Sequence, residues 1–289
     1  MQNVVSMFKT ILVPVDGSDS ANRAAEFGAE LASNYDAHLN IVHVLEGGSE
    51  LLGDAQEAKT QGREMLDEVT ELIPESTAIS TELIEGDPDE AISNYADEHD
   101  ADLIVMGRHG RSGLKEHLVG TTTERVLRQT KVPVVTVPET TGRGDITGVS
   151  NLLVPTDGSE NAERAAPYGA DIATHVGATL HLLSVVDVQA EAGAFSAGGV
   201  TEDFINKLKE DGREAVDQLA QHVDDSDIAV QSSVMRGVSY EAIEEYVAEN
   251  DVDLIVMASE GESDIAGQSL GSVTDRVLRT VDVPVLVVV

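Results

Sequence analysis

Two rhythms of apolar and polar positions alternate along this chain. Short aliphatic and β-branched runs read as strands: "TILVPV" at 10–15, "HLNIVHVLE" at 38–46, "AISTELIEG" at 78–86, "DLIVMG" at 102–107 and "VPVVTV" at 132–137. Runs this short and this apolar suit a sheet covered on both faces. Between them apolar residues recur at helical spacing. Ala24, Phe27, Leu31 and Tyr35 mark one face of "SANRAAEFGAELASNY". "AQEAKTQGREMLDEVTELI" and "TTTERVLRQT" give two more amphipathic segments. A further helix opens in "GDPDEAISNYADEHD", where Asp87 suits the N-cap, Pro88 the first helical position and Glu90 closes a capping box. Strand and helix in alternation predict an α/β domain with a mostly parallel five-stranded sheet and right-handed crossovers.

The same sentence is then spoken again. "ILVPVDGSDSANRAAEFGAELA" at 11–32 is matched by "LLVPTDGSENAERAAPYGADIA" at 152–173, "GREMLDEV" at 62–69 by "GREAVDQL" at 212–219, and "VMGRHG" by "VMASEG". The second copy is longer, mostly in "VDVQAEAGAFSAGGVTEDF" at 186–204. A repeat of about 140 residues is too long for a solenoid unit, so each copy is a complete domain. "PETTGRGDITG" at 138–148 is rich in Gly, Thr and Pro and reads as the connection. The expected division is 1–138, a linker at 139–149, and 150–289.

In sheets of this kind ligands sit beyond the carboxyl ends of strands, where strand order reverses. That rule gathers Asp16 after the first strand, Val44 in the second and Met106 with Gly107 in the fourth around one crevice.

Composition changes the picture next. Of 289 residues, 53 are acidic and 18 basic, giving a formal net charge of -35 spread over both halves. Such a charge repels nucleic acids and anionic membranes. Concentrated salt would screen the self-repulsion, since the Debye length falls to roughly 3 Å at 1 M. The expectation is a halophilic protein with no nucleic-acid or membrane partner. There is no cysteine, hence no disulfide or thiolate chemistry. "MQNVVSMFKTILVPVD" lacks the regions of a signal peptide, and no apolar run approaches the ~20 residues of a membrane span, so a cytoplasmic setting is expected.

The connector after the fourth strand carries the candidate chemistry. Gly107, Gly110 and Gly120 punctuate it, and Thr121, Thr122 and Thr123 open the next helix. Glycines let backbone approach a ligand closely. A helix start offers N–H groups to phosphate oxygens. Arg108, Arg111 and Lys115 concentrate positive charge in an acidic domain; binding a polyphosphate is one use for them and pairing with nearby carboxylates another. The spacing is neither the dinucleotide G-x-G-x-x-G nor the P-loop.

Together, the G-x2-G-x9-G-(S/T) pattern of Gly107, Gly110, Gly120 and Thr121, the "PVDGS" opening and the "VP" before the final strand resemble the universal stress protein (UspA) family. The resemblance covers nearly all of both halves, so the chain is similar to tandem members, and its acidity suggests a haloarchaeal source. It implies two repeated open parallel-sheet sandwiches of the adenine nucleotide alpha hydrolase-like type, strand order 3-2-1-4-5. It implies a stress-response protein binding ATP or another adenine nucleotide, with Mg²⁺ held through the phosphates. By the same resemblance Asp16, Val15 and Val44 would meet adenine and ribose, Met106 and Gly107 the ribose side, and Gly110, Gly120, Thr121 and Thr122 the phosphates. Asp16 has a second use as the turn-former of "DGS".

The second copy departs from this pattern. Thr156, Asp157, Val185, Met257, Gly261, Gly271, Ser272 and Val273 keep much of the set, but the first glycine is Ala258. If that glycine serves a positive φ or a close approach, alanine is costly there; otherwise it is cheap. Glu260, Glu262 and Asp264 also replace the basic side chains, and carboxylates repel phosphates unless a metal intervenes. The expectation is an asymmetric pair in which domain 1 binds and domain 2 is weak or empty.

No catalytic apparatus is legible. His109 lies in the phosphate loop, His43 beside the crevice, and neither stands in a Ser–His–Asp or metal-ligand arrangement. A nucleotide sensor or regulator is the leading reading. The alternatives are a nucleotide-independent partner-binding protein and a slow ATP-hydrolysing or adenylyl-transferring enzyme. The final strands "VPVVTV" and "VPVLVVV" are apolar edges that want covering. The family resemblance implies that they pair, here domain 1 with domain 2, and a homodimer of whole chains is compatible with it.

Overall fold

The computed structural model describes residues 6–47, 52–110, 119–139, 148–188, 201–223, 228–261 and 270–289, with side chains of the second helix from 55 onward. Arg111, Lys115, Glu262, Asp264 and most of the 139–149 linker lie outside the described residues. The chain divides into two compact units, one ending at Gly148 and the other running from Val149 to Val288.

Unit 1 alternates β1 (Thr10–Pro14), α1 (Asp19–Tyr35), β2 (His38–Leu45), α2 (Leu52–Glu71), β3 (Ile79–Glu85), α3 (Pro88–Glu98), β4 (Leu103–Gly107), α4 (Thr121–Gln129) and β5 (Val134–Val137). All pairings are parallel and the order is β3-β2-β1-β4-β5. The central strands are mostly apolar because helices cover both faces, and β4 and β5 are buried throughout, the hydroxyl of Thr136 included. The edge strand β3 instead exposes Ser80, Thr81 and Glu82 to solvent. Phe8, Ile11, Leu12, Phe27, Leu31, Leu39, Ile41, Leu103 and Ile104 are almost fully buried and form the core.

Unit 2 repeats the plan: β6 (Asn151–Thr156), α5 (Glu160–Glu163), α6 (Ala165–Val176), β7 (Thr179–Val186), α7 (Glu202–Gln221), β8 (Val230–Arg236), α8 (Ser239–Glu249), β9 (Leu254–Ala258), α9 (Ser272–Thr280) and β10 (Val285–Val288). Its sheet order β10-β9-β6-β7-β8 is the same arrangement, 3-2-1-4-5 in each repeat's own count.

One local reading is corrected. Asp87 stands at the N-cap of α3 in extended backbone, but its side chain makes no cap hydrogen bond. Its carboxyl is bonded to that of Asp89 instead, so the expected capping box does not form. Where the first repeat has the single helix α1, the second has two. Pro167 has no N–H for the carbonyl of Glu163, and its ring presses on that carbonyl. The first segment therefore stops at Glu163 and the second starts at Ala165.

Candidate functional site

Order reverses between β1 and β4, and the crevice opens at their carboxyl ends. β1 stops at Pro14, yet the Val15 N–H still donates to the Val42 carbonyl at 2.8 Å. The chain then turns through Gly17, whose φ is +76°. Asp16 Oδ1 holds this turn, accepting from the Ser18 N–H at 3.0 Å and the Ser18 hydroxyl at 2.6 Å. Ser18 Oγ in turn accepts from the Ala21 N–H at 3.2 Å and caps α1. The carboxylate thus serves the turn with one oxygen and lines the crevice as well.

At the end of β4, Gly107 has an ordinary negative-side φ, so its need is space. A Cβ there would lie 2.6 Å from Ser20 Oγ and 2.7–2.9 Å from the backbone of Ser20 and Ala21. The N-terminus of α1 packs directly on it. Beyond it the Arg108 N–H donates to the Val137 carbonyl and the Arg108 carbonyl accepts from the Gly120 N–H, both at 2.8 Å. These bonds pin the two ends of the glycine connector together. Gly120 is the N-cap of α4 and has no side chain to cap with. The first helical bond is Glu124 N–H to the Gly120 carbonyl at 2.9 Å. The N–H groups of Thr121, Thr122 and Thr123 precede it and are the ones a helix leaves without intrahelical acceptors. Thr123 Oγ1 donates back to the Gly107 carbonyl at 2.9 Å, tying helix to strand.

The result is a crevice of ≈ 400 Å³, inside the ~300–1,000 Å³ usual for small-molecule sites. Val15, Asp16, Val44, Met106, Gly107, Gly110, Gly120, Thr121 and Thr122 all line it. Arg108 does not: its side chain is buried, with 4% exposure, and is not among the crevice-lining residues described. The sequence reading passed over Glu46, Pro88 and Ile92, which also line it. Glu46 follows β2 and Pro88 follows β3, so their place past strand ends was the available signal. His43 lines the crevice too, with Nδ1 2.8 Å from the Val15 carbonyl.

Unit 2 keeps the skeleton. Ser259 N–H donates to the Val288 carbonyl and Gly271 N–H to the Ser259 carbonyl, both at 2.7 Å, and Thr274 Oγ1 donates to the Ala258 carbonyl at 2.9 Å. Thr156, Asp157, Val185, Met257, Ala258, Gly261, Gly271, Ser272 and Val273 line a crevice of only ≈ 110 Å³, below the ~300 Å³ end of the usual range. Ala258 carries the methyl that Gly107 could not. The segment that faces it is the four-residue α5, detached by the Pro167 break, which packs on β9. Glu260 lines this crevice beside the start of α9.

A model of the universal stress protein family matches twice, at residues 7–138 and 148–289. The chain belongs to the universal stress protein family. It is a tandem member. A universal stress protein of Methanocaldococcus jannaschii is 34% identical over 148 residues, 47% of this chain and 86% of that protein. A Synechocystis universal stress protein aligns end to end, 22% identical over 96% of this chain and 99% of its own length. The crystal structure of a universal stress protein from Archaeoglobus fulgidus superposes with a TM-score of 0.73, 23% identity and 98% coverage of both chains, which is a likeness of fold.

Among the described residues of this universal stress protein, no group of three or more His, Cys, Asp or Glu is placed to hold a metal ion. No described helix is long and apolar enough to cross a membrane.

Proposed function

We propose that this universal stress protein binds an adenine nucleotide, ATP foremost, in the crevice of its first domain and acts as a sensor or regulator. The observation that carries the reading is the meeting of Asp16 with Gly110 opposite the start of α4. A Cβ on Gly110 would lie 2.6 Å from Asp16 Oδ2. One wall therefore offers a carboxylate for ribose hydroxyls or the adenine amine, and the other offers N–H groups of a helix start for phosphates. Val44 supplies an apolar face for the base. Arg111 and Lys115 would add charge to the phosphates, and Mg²⁺ would bind through phosphate oxygens.

The second domain is proposed as weak or empty. Its smaller crevice and Glu260 support that asymmetry. We further propose the division 1–138 and 150–289 about a linker at 139–149, pairing of the two domains through their apolar final strands, and a cytoplasmic, salt-adapted setting. Screening of a net charge of -35 is the support for the last.

Titration calorimetry with ATP and Mg²⁺ in high salt tests the reading. One site per chain is expected, lost in Asp16→Ala. Two equal sites would overturn the asymmetry. No heat with ATP, ADP, AMP or adenosine would leave the nucleotide-independent alternative standing. Phosphate or adenylyl transfer measured at saturating ATP would turn the sensor into an enzyme.

A further inference from the structure

We propose that Asp89 is a positioning residue of the first-domain crevice, a buried carboxylate that fixes the phosphate-facing helix α4 against α3. This rests on the nucleotide reading above. The two helices are two walls of one cleft: α3 contributes Pro88 and Ile92, and α4 contributes Thr121, Thr122 and Thr123. Asp89 sits in the first turn of α3 and is 4% exposed. Its Oδ1 accepts from Arg125 Nη1 at 3.2 Å and its Oδ2 from Gln129 Nε2 at 2.8 Å. Residues 125 and 129 are one helical turn apart on the same face. A single carboxylate bridging that turn sets the rotation of α4 about its axis as well as its distance. Gln129 lines no part of the crevice, whereas Arg125 lines an adjoining cavity that shares Glu46, Pro88 and Thr122 with it, so Gln129→Ala is the variant that reads the indirect effect alone.

The charge is kept despite burial. Burial works against ionisation of Asp89, but the hydrogen bonds from Gln129, Arg125 and Asp87 outweigh it and hold its carboxyl below the usual range. A buried carboxylate with both oxygens engaged by one helix is a directional joint, which apolar packing alone would not supply.

The second domain joins the same two helices by other means. There Tyr240 stands in the first turn of α8, and the guanidinium of Arg276 on α9 lies 5.8 Å from its ring centroid. A cation over a ring face holds helices together but tolerates rotation, since it has no fixed hydrogen-bond direction. The domain with the directional joint is the one with the larger crevice.

The test compares ATP and adenosine binding to the full chain by calorimetry in high salt, in Arg125→Gln, Gln129→Ala and Asp89→Asn. Arg125 and Gln129 are exposed, so their variants keep the domain folded even if Asp89→Asn does not. Because α4 faces phosphates, ATP should bind roughly tenfold more weakly, while adenosine is unchanged. Arg128→Gln removes the same charge from the same helix without touching Asp89, and should leave both ligands unaffected. Asp89→Tyr installs the second domain's pair and should restore little of the ATP affinity. If the wild type binds ATP and Arg125→Gln and Gln129→Ala bind it equally well, the positioning role falls and the nucleotide reading stands. Equal loss of ATP and adenosine in these variants would make the joint a general support and overturn the proposal too. If the wild type binds neither ligand, the nucleotide reading falls and takes this inference with it.

Discussion

Asp16 and Gly110 touch across the crevice: Asp16 Oδ2 lies 2.6 Å from where a Cβ on Gly110 would stand. They are far apart in sequence, brought together because β1 and β4 are neighbours with parallel register Ile11 to Leu103 and Leu12 to Ile104. Gly261 and Asp157 repeat the contact at 2.5 Å. Gly110→Ala would push the carboxylate away. It should abolish nucleotide binding in calorimetry while costing less stability than Gly107→Ala, because the only atoms it meets are the end of one side chain. Undiminished ATP affinity in a folded Gly110→Ala protein would show that this contact is only structural.

Gly107→Ala is expected to be worse for the fold than for the ligand. Its methyl would meet main-chain atoms of α1 at 2.7–2.9 Å, and backbone inside a helix yields less readily than the end of a side chain. Urea unfolding should show a loss of about 1–3 kcal/mol. Ala258→Gly in the second domain relieves no such clash and should cost no more than about 1 kcal/mol, from chain entropy.

His181 makes the second domain sensitive to acid. It is buried, with Nε2 3.2 Å from Asn151 Oδ1 and Nδ1 3.0 Å from the Tyr246 hydroxyl. With Asn151 Oδ1 as acceptor, Nε2 carries the proton and Nδ1 accepts from Tyr246; a second proton would reverse that bond, with the Tyr246 hydroxyl accepting and turning its own proton toward Ser233 Oγ at 3.3 Å. Burial pushes the imidazole below its ordinary value. Unfolding then takes up a proton, so stability should erode as pH falls through the ordinary ~6.5, until the folded group itself protonates. The first domain has Asn40 at this place, accepting from Ser80 Oγ at 2.6 Å. In His181→Asn, unfolding free energies at pH 7 and pH 5.5 should differ less than in the wild type. An unchanged pH difference would exonerate His181.

Asp87 acts in the opposite sense. Its hydrogen bond to Asp89, then burial and the charge of Asp89, raise its pKa. A raised acid supports the fold while protonated, below its ordinary value, and loses that support as pH rises through the folded one. Asp87→Asn keeps a good N-cap residue and donates to Asp89 without charge. It should raise the melting temperature at pH 7, with the gain vanishing below the ordinary ~3.9 of aspartate. A lower melting temperature at pH 7 would mean that the charge itself supports α3.

Much of this was written in local pattern. Strands of four to eight residues showed as apolar runs, and β5 begins two residues past Val132 because Pro133 has no N–H to give a ladder. α2 starts at Leu52, earlier than its amphipathic stretch indicates, since helical backbone can extend past the face that packs. Pro167 was visible but its consequence was not, because a proline near a helix start is often harmless. Arg108 looked like a phosphate ligand on charge alone. Only packing reveals that its side chain is buried.

Periodicity, the duplicated glycine spacing and net charge are properties of the one-dimensional chain, and they determined the α/β class, the two repeats and the expected crevice. Contacts between residues far apart in sequence are properties of the folded sheet: Asp16 on Gly110, Asp89 on Arg125 and Gln129, Gly107 beneath Ser20. Tertiary structure decided these because side-chain direction and a few tenths of an ångström of free space depend on neighbours that no local pattern specifies.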